Sequence, residues 1–524
     1  MNKSSFAPHG AARWYASRGT LALSATALAL ALTTGPFPLT APASAAAGCS
    51  GVESDFNGDG IRDTAIADPE ATVAGIAKAG VVHIVYGGGK GNLELTQEAA
   101  KAGPSEAGDQ FGFSMAVYDA DLDGCSDLAI GSPFEDVGTL VDAGRAVVVY
   151  GSATGLGAGK ATIEHRQGTG TMTAIAAEAG DLMGYALVAG QSAAGVPYLV
   201  IGAPGEDVGT SEDAGSVVYI SGSTTLTAGV VNQDVTLAGP VPDVVEPYDR
   251  FGASLAATPT HLVIGSPGEA EGTLAESGSV TVFSHTLVSA VPKPLLALNQ
   301  DSTGVSGGCE AGDGFGTAIA MVPFRAPGAT STTESLLAVS NPGEDLAGLE
   351  DGGSVLIFRL DGAGGYTETS SINQNVLNVD GSIQAGDHFG QRLAAYNSAP
   401  DSETTASTAR LAVGVPGQDG SNGLTDRGSV HLFPMVGPPG DSDKLLEPGS
   451  EIPTPAAPRE YAGLSIGGGS GGLYVGMPYG PAEGRAVYVF PWTIGGVGGA
   501  PTQTFKPGQG GLPAESNTFG TVVR

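Results

Sequence analysis

Residues 516–524 read SNTFGTVVR, and the chain stops there. The aromatic-Gly core of that nonapeptide recurs upstream behind an acidic residue: DQFGFSMAV (109–117), DLMGYALVA (181–189), DRFGASLAA (249–257), DGFGTAIAM (313–321), DHFGQRLAA (387–395) and the weaker REYAGLSIG (459–467). Each of the six runs into a turn closed by proline: IGSP (130–133), IGAP (201–204), IGSP (264–267), VSNP (339–342), VGVP (413–416) and VGMP (475–478). One more proline turn, IADP (66–69), has no aromatic-Gly segment ahead of it. The first unit lacks the piece on which the chain ends.

A further element completes the unit, a glycine followed by an alternating apolar run. It occurs as GVVHIVYG, GRAVVVYG, GSVVYISG, GSVTVFS, GSVLIFR, GSVHLFP and, behind Gly484, RAVYVF (485–490). Alternation with period two reads as strands. The 84 glycines and 34 prolines suit many short strands and tight turns, and 41% hydrophobic residues suffice for a core. Each unit is an antiparallel sheet: aromatic-Gly strand, proline-turn strand, Gly strand, then an outer strand such as DVTLAG (234–239) or PLLALNQ (294–300). Units stacked in a line would leave raw sheet edges, and closing them into a ring removes the edges. The expected fold is all-β: a seven-bladed β-propeller of four-stranded blades over residues 46–524, with the C-terminal strand completing blade one. The positions 111, 183, 251, 315, 389, 461 and 519 lie 58–74 residues apart, too far for the short coils of a parallel β-helix.

These three elements, in seven copies, resemble the FG-GAP repeats of the integrin α-subunit propeller, and the resemblance runs from about residue 50 to the end. Met183 departs from it by replacing the aromatic, EYAG shifts the glycine in blade seven, and VSNP differs from the family's Gly-Ala-Pro. No leg domain, inserted von Willebrand-type domain or membrane anchor follows, so a heterodimeric receptor is not implied.

Two loops carry further chemistry, DFNGDGIRD (55–63) and DADLDGCSD (119–127). Alternating carboxylates converge when the chain curls, and oxygen donors without His or thiolate favour Ca²⁺ over zinc. An EF-hand would want Glu at the twelfth position, where Ile66 and Ile130 stand. The loops match the calcium hairpins of the FG-GAP family. The resemblance implies two Ca²⁺ sites, one held by Asp55, Asn57, Asp59, Asp63 and the Ile61 carbonyl, the other by Asp119, Asp121, Asp123, Asp127 and the Cys125 carbonyl. Cys49 precedes the first loop and Cys125 lies in the second, so adjacent blades would bring them together as a disulfide, leaving Cys309 odd. The competing reading of both loops is two acidic turns without metal.

In a four-stranded meander the metal loops lie on one face and the loops after the proline turns on the other. The latter read PFEDVG, PGEDVG, PGEAEG, PGEDLAG and PGQDG, which places Glu135, Asp136, Glu206, Asp207, Glu269, Glu344 and Asp345 on a carboxylate-rich candidate binding face. Asp109, Asp181, Asp249, Asp313 and Asp387, ahead of the aromatic-Gly strands, suit local turn caps.

Residues 1–45 read as a secretory signal: Lys3, Arg13 and Arg18, the apolar run LALSATALALAL (21–32), and small residues up to Ala45. The rival reading of AAGC as a lipoprotein site is disfavoured by the proline-rich stretch before it. No second apolar span follows. Removing the signal, which holds three Lys+Arg and no Asp or Glu, takes the formal charge from −32 to −35, which excludes nucleic acid and anionic membrane as partners. GLSIG (463–467) fits the nucleophile pattern G-x-S-x-G but falls in a strand rather than a strand-turn-helix. No catalytic constellation stands out. The reading is a secreted, monomeric, calcium-binding adhesion scaffold for an extracellular protein or glycan ligand. The alternative is a hydrolase, since FG-GAP repeats also occur in glycosylphosphatidylinositol-specific phospholipase D, or a glycan-active enzyme.

Overall fold

A computed structural model of the chain describes residues 49–234, 243–494 and 499–524. The expected signal at 1–45 and most of the outer-strand candidate DVTLAG lie outside the described residues. Blade two shows the plan. Ser114–Tyr118 pairs antiparallel with Asp127–Ser132, that strand with Arg145–Val149, and that with Ile163–His165. Five further four-stranded sheets repeat the order, and the innermost strands of successive blades pack against one another to form the ring. The outer strand of blade three is Thr227–Val231, earlier than DVTLAG, and that of blade four is Val291–Leu298.

Blade one supplies only three strands itself, Thr64–Asp68, Val81–Val85 and Asn92–Leu95. The last residues of the chain complete it. The N–H groups of Ala65 and Ala67 donate to the carbonyls of Arg524 and Val522, and those of Arg524 and Gly520 donate back to Ala65 and Ala67, all at 2.9 Å. Asp68 fastens the approach, accepting the Thr518 N–H at 2.8 Å and the Asn517 N–H at 3.0 Å. Phe519 and Val523 then bury beside Ile66, Tyr474, Val487 and Phe505, a cluster shared by blades one and seven. The fold is an all-β, seven-bladed propeller closed by its own C-terminus.

The repeat's residue types follow from crowding between blades. The aromatics Phe111, Phe251, Phe315, Phe389 and Phe519, and Met183 in their place, are all buried. The following glycine is obligatory at Gly184: its φ is +94°, and a Cβ there would meet the Arg145 carbonyl oxygen at 2.4 Å. Blade seven corrects the sequence reading. Ala462, not Tyr461, occupies the aromatic position, because its bridge to Gly428 repeats that of Met183 to Gly144. Gly463, at φ +100°, is therefore in register, and Glu460 takes the place of the usual Asp. Trp492 and Phe490 join Ala462 in the core there. Among the described residues no helix is long and apolar enough to cross a membrane.

Candidate functional site

The two acidic loops sit side by side at one end of the ring. Cys49 and Cys125 are joined as a disulfide with their Cα atoms 4.8 Å apart. Gly51 donates its N–H to the Gly124 carbonyl and Ser126 to that of Asp55, which stitches loop to loop. Gly58, at φ +68°, leaves room for the disulfide, since a Cβ would approach the Cys49 sulfur to 2.9 Å. At the equivalent point of the second loop stands Leu122, held at φ +62°. Cys309 is buried and unpaired.

In both loops the last carboxylate anchors the curl. Asp63 accepts the N–H of Phe56 at 2.8 Å and of Gly87 at 2.7 Å; Asp127 accepts those of Ala120 at 2.7 Å and Gly151 at 2.8 Å. The first carboxylate caps the bend: Asp55 accepts from Asp59 and Gly60, Asp119 from Asp123 and Gly124. Burial nevertheless wins over these donors, lifting Asp63 to about 6 and Asp127 to about 8.

The second loop fits a cation better. Asp119, Asp121 and Asp127 bring carboxylate oxygens within 4.8 Å of one another. Asp121 Oδ1 is buried without a partner, and its Oδ2 has only Lys160 Nζ at 3.5 Å. Asp123 stands apart, beside the Cys49 and Cys125 sulfurs, and caps the Cys125 N–H. In the first loop Asn57 occupies the place of Asp121, and its Oδ1 accepts the Asp59 N–H, while Asp59 accepts that of Ile61. No trio of carboxylates converges there among the described residues. Ile61 and Cys125, the two expected carbonyl donors, hold matching positions in their loops.

The candidate binding face divides. Asp136, Asp207 and Asp345 are exposed, each closing its own loop through one oxygen. Glu135 and Glu269 are buried and Glu206 and Glu344 half-buried, so these four do not form an open acidic surface. Each accepts a hydrogen bond from a glutamine of the preceding blade: Gln97, Gln233, Gln167 and Gln300 for Glu135, Glu269, Glu206 and Glu344 respectively. Gln374 repeats this with Gln418 in blade six. The glutamine after the outer strand recurs in five of the seven blades, a signal present in the sequence but absent from the motifs singled out there. The turn-capping role of the Asp series holds, with Asp109, Asp181, Asp249, Asp313 and Asp387 accepting the N–H three residues back.

At the axis on that same face opens a cavity of about 730 Å³. The residue after each repeat glycine lines it, one per blade: Thr521, Phe113, Tyr185, Ala253, Thr317, Gln391 and Leu464. The rings of Phe113 and Tyr185 lie 5.1 Å apart, and Phe113 meets Phe134 edge-on at 5.5 Å. Arg250, His388 and Arg392 add basic and hydrogen-bonding groups to the wall. Arg250 and His388 fall between the Asp and the aromatic and adopt φ +56° and +50°, a left-handed conformation that turns the chain at the rim. A smaller cavity of about 200 Å³ opens on the metal-loop side, and Arg524 lines both. Ser465 of GLSIG lies in the inner strand of blade seven with its hydroxyl donated to the Gly520 carbonyl, so it is a packing residue.

Residues 111–149 match the family model "FG-GAP repeat". Among curated proteins, phosphatidylinositol-glycan-specific phospholipase D of Mus musculus is 36% identical over 106 residues, 20% of this chain and 12% of that one. The Dictyostelium discoideum protein of the same name is 25% identical over 389 residues, 69% and 38% of the two chains, and the Homo sapiens one 28% over 231 residues, 41% and 25%. The chain thus spans less than two fifths of the length of these relatives. Among solved structures, Sqt1 of Saccharomyces cerevisiae covers 75% of each chain at 10% identity with a TM-score of 0.39, a likeness too loose to build on.

Proposed function

Starting from a seven-bladed propeller of FG-GAP repeats, we propose that the chain is a secreted binding scaffold, stiffened by calcium, that receives an extracellular protein or glycan at the axial mouth. The observation that carries this reading is the ring of residues after the repeat glycines. The frame around them is repeated seven times, yet the seven differ: two aromatics, three polar residues, Ala253 and Leu464. A frame that repeats with tips that vary is how a scaffold presents a specific surface. Aromatic faces in one cavity with Gln391, Arg392 and His388 suit the stacking and hydrogen bonding that sugar rings or a polar peptide loop demand. The apolar leader at 21–32 and the Cys49–Cys125 disulfide support an oxidising, extracellular setting.

Calcium would be held by Asp119, Asp121 and Asp127 in blade two, and by Asp55, Asn57, Asp59 and Asp63 in blade one, where it would neutralise the crowded carboxylates. The test is capture of ligands on a glycan array and from extracellular protein mixtures in millimolar calcium. Phe113→Ala with Tyr185→Ala should lower the captured signal at least tenfold, and undiminished binding would reject the axial site. The similarity to phosphatidylinositol-glycan-specific phospholipase D favours a second reading, a hydrolase or a propeller that serves one. Turnover of a phosphoester, ester or glycoside substrate by the purified chain, lost on a single carboxylate change, would establish the enzyme.

A further inference from the structure

The junctions between blades reuse one arrangement, but the cation present at the entry to blade two gives way to serine at the entries to blades three, four and five, and at blade four three acids converge as well. At the entry to blade two, Glu135 is answered by Arg145, whose Nη2 lies 3.0 Å from Glu135 Oε1 with the side chains 6% and 9% exposed. At the entry to blade four, Glu269 stands in the place of Glu135. The strand register that pairs Ser132 with Arg145 there pairs Ser266 with Ser279, so a serine replaces the guanidinium. The acids have not gone with it. Glu246, Asp249 and Glu269 bring carboxylate oxygens within 4.8 Å of one another, and among the described residues none of them forms an ion pair. Arg250, the adjacent cation, reaches Glu276 instead.

Two oxygens in this junction are buried with nothing to bind. Asp249, 0% exposed, accepts the Glu246 N–H through Oδ2 and leaves Oδ1 without a partner. Gln233, 2% exposed, reaches into the junction to give its amide N–H to Glu269 and leaves Oε1 without one. Asp181, Asp313 and Asp387 also leave Oδ1 unpartnered, and Gln97, Gln167, Gln300 and Gln374 leave Oε1 so, but at those junctions no trio of carboxylates converges among the described residues. Asp243 adds a further acid nearby, accepting the Ser279 hydroxyl at 3.3 Å.

We infer that Glu246, Asp249 and Glu269, with Gln233 Oε1 as an additional donor, bind a divalent cation of the calcium class at the junction of blades three and four. The ion does there what the Arg145 guanidinium does at the entry to blade two. All donors are oxygen, which selects a hard cation. Oxygens on opposite sides of an ion bonded at about 2.3–2.6 Å are separated by about the span seen here. Glu246 is exposed while Asp249 and Glu269 are buried, which gives the ion an entry from solvent. The site is separate from the hairpin loops and lies on the opposite face of the ring.

The experiment is a calorimetric titration of the chelator-treated, secreted chain with CaCl₂, counting equivalents. Glu269→Gln and Asp249→Asn should each bind one equivalent fewer than the parent. A hairpin variant, Asp63→Asn with Asp127→Asn, should keep that equivalent. Ser279→Arg supplies the missing guanidinium, so it should also lose one equivalent and melt higher than the parent in chelator. Unchanged counts in Glu269→Gln and Ser279→Arg overturn the inference, as does a hairpin variant that binds no calcium. Should these variants fail to fold by circular dichroism, parent crystals soaked in Mn²⁺ decide: an anomalous peak between the three carboxylates supports the site and its absence overturns it.

Discussion

Blade one and blade four share a strand plan and differ in how it is joined up. Blade four draws its four strands from one stretch, Ser254 to Leu298, and passes from first strand to second in a tight bend closed by Thr258 N–H to the His261 carbonyl at 2.8 Å. Blade one borrows its first strand from the far end of the chain, so its loop 55–63 leads into the second strand without joining it to the first. It is tied to blade two by the disulfide and to blades six and seven through Glu53, which accepts from Tyr396 at 2.8 Å and the Ser470 N–H at 2.9 Å. The extra ties gather where the ring is welded.

The weld is the place to break this comparison. Ending the chain at Glu515 removes four backbone hydrogen bonds, each about 1 kcal/mol net, and the burial of Phe519 and Val523, about 2 kcal/mol apiece. The sum rivals the whole stability of many proteins, about 5–15 kcal/mol. The truncated chain should lose its cooperative melt in calorimetry, while Thr258→Ala in blade four should shift it by only a few degrees. A truncated chain that melts with the parent would remove the distinction between the two blades.

The pH dependence comes next, because it sums over several junctions. Continuous blades keep an acid two residues before the aromatic, where the borrowed strand has Asn517. Burial raises Asp181 to about 6 and Asp313 and Asp387 to about 7. Raised carboxyls favour the folded state in their protonated form. Their contribution is complete below about pH 4, the usual range of a free carboxylate, and is lost as pH rises through 6–7. Melting temperature in chelator should fall between pH 5 and pH 8, and Asp313→Asn should flatten the fall; a rise over that range would contradict the burial argument.

The disulfide follows. Replacing Cys49 and Cys125 by Ser frees a loop of 76 residues and should cost about 4 kcal/mol, with faster amide exchange in blades one and two and little change in blade four. Uniform loosening would mean that the tie does not act locally. The smallest effect is that of calcium on the hairpins. At a concentration a hundredfold above its dissociation constant, an ion that binds only the folded state adds about 2.7 kcal/mol. Chelator should lower the melt of the parent, and Asp127→Asn should remove the blade-two loop's share of that response.

The ring was legible because its evidence repeats: seven proline turns, seven Gly strands and a terminal fragment that matches the piece missing from the first unit. The disulfide followed from the same arrangement, since loops on adjacent blades put Cys49 beside Cys125. Single copies were harder. EYAG placed Tyr461 at the aromatic position because side-chain type outweighed register, and the pairing with Gly428 and the Glu460 cap show Ala462 there. The glutamates of the loops after the proline turns read as surface because Gly-Glu-Asp is ordinary turn composition. Whether such a side chain faces water depends on a glutamine from the neighbouring blade. The axial mouth stayed hidden for the opposite reason. The residue after each repeat glycine varies, and a search for repetition discards what varies.

The central claim is that the closed ring recognises its ligand through those varied residues. Hydrogen exchange of the chain with and without a captured ligand, resolved by mass spectrometry, tests it most directly. The expected result is protection at 110–114, 182–187, 250–254 and 388–393, with 119–127 unchanged. Protection confined to the metal-loop face, or to the outer strands, would contradict it.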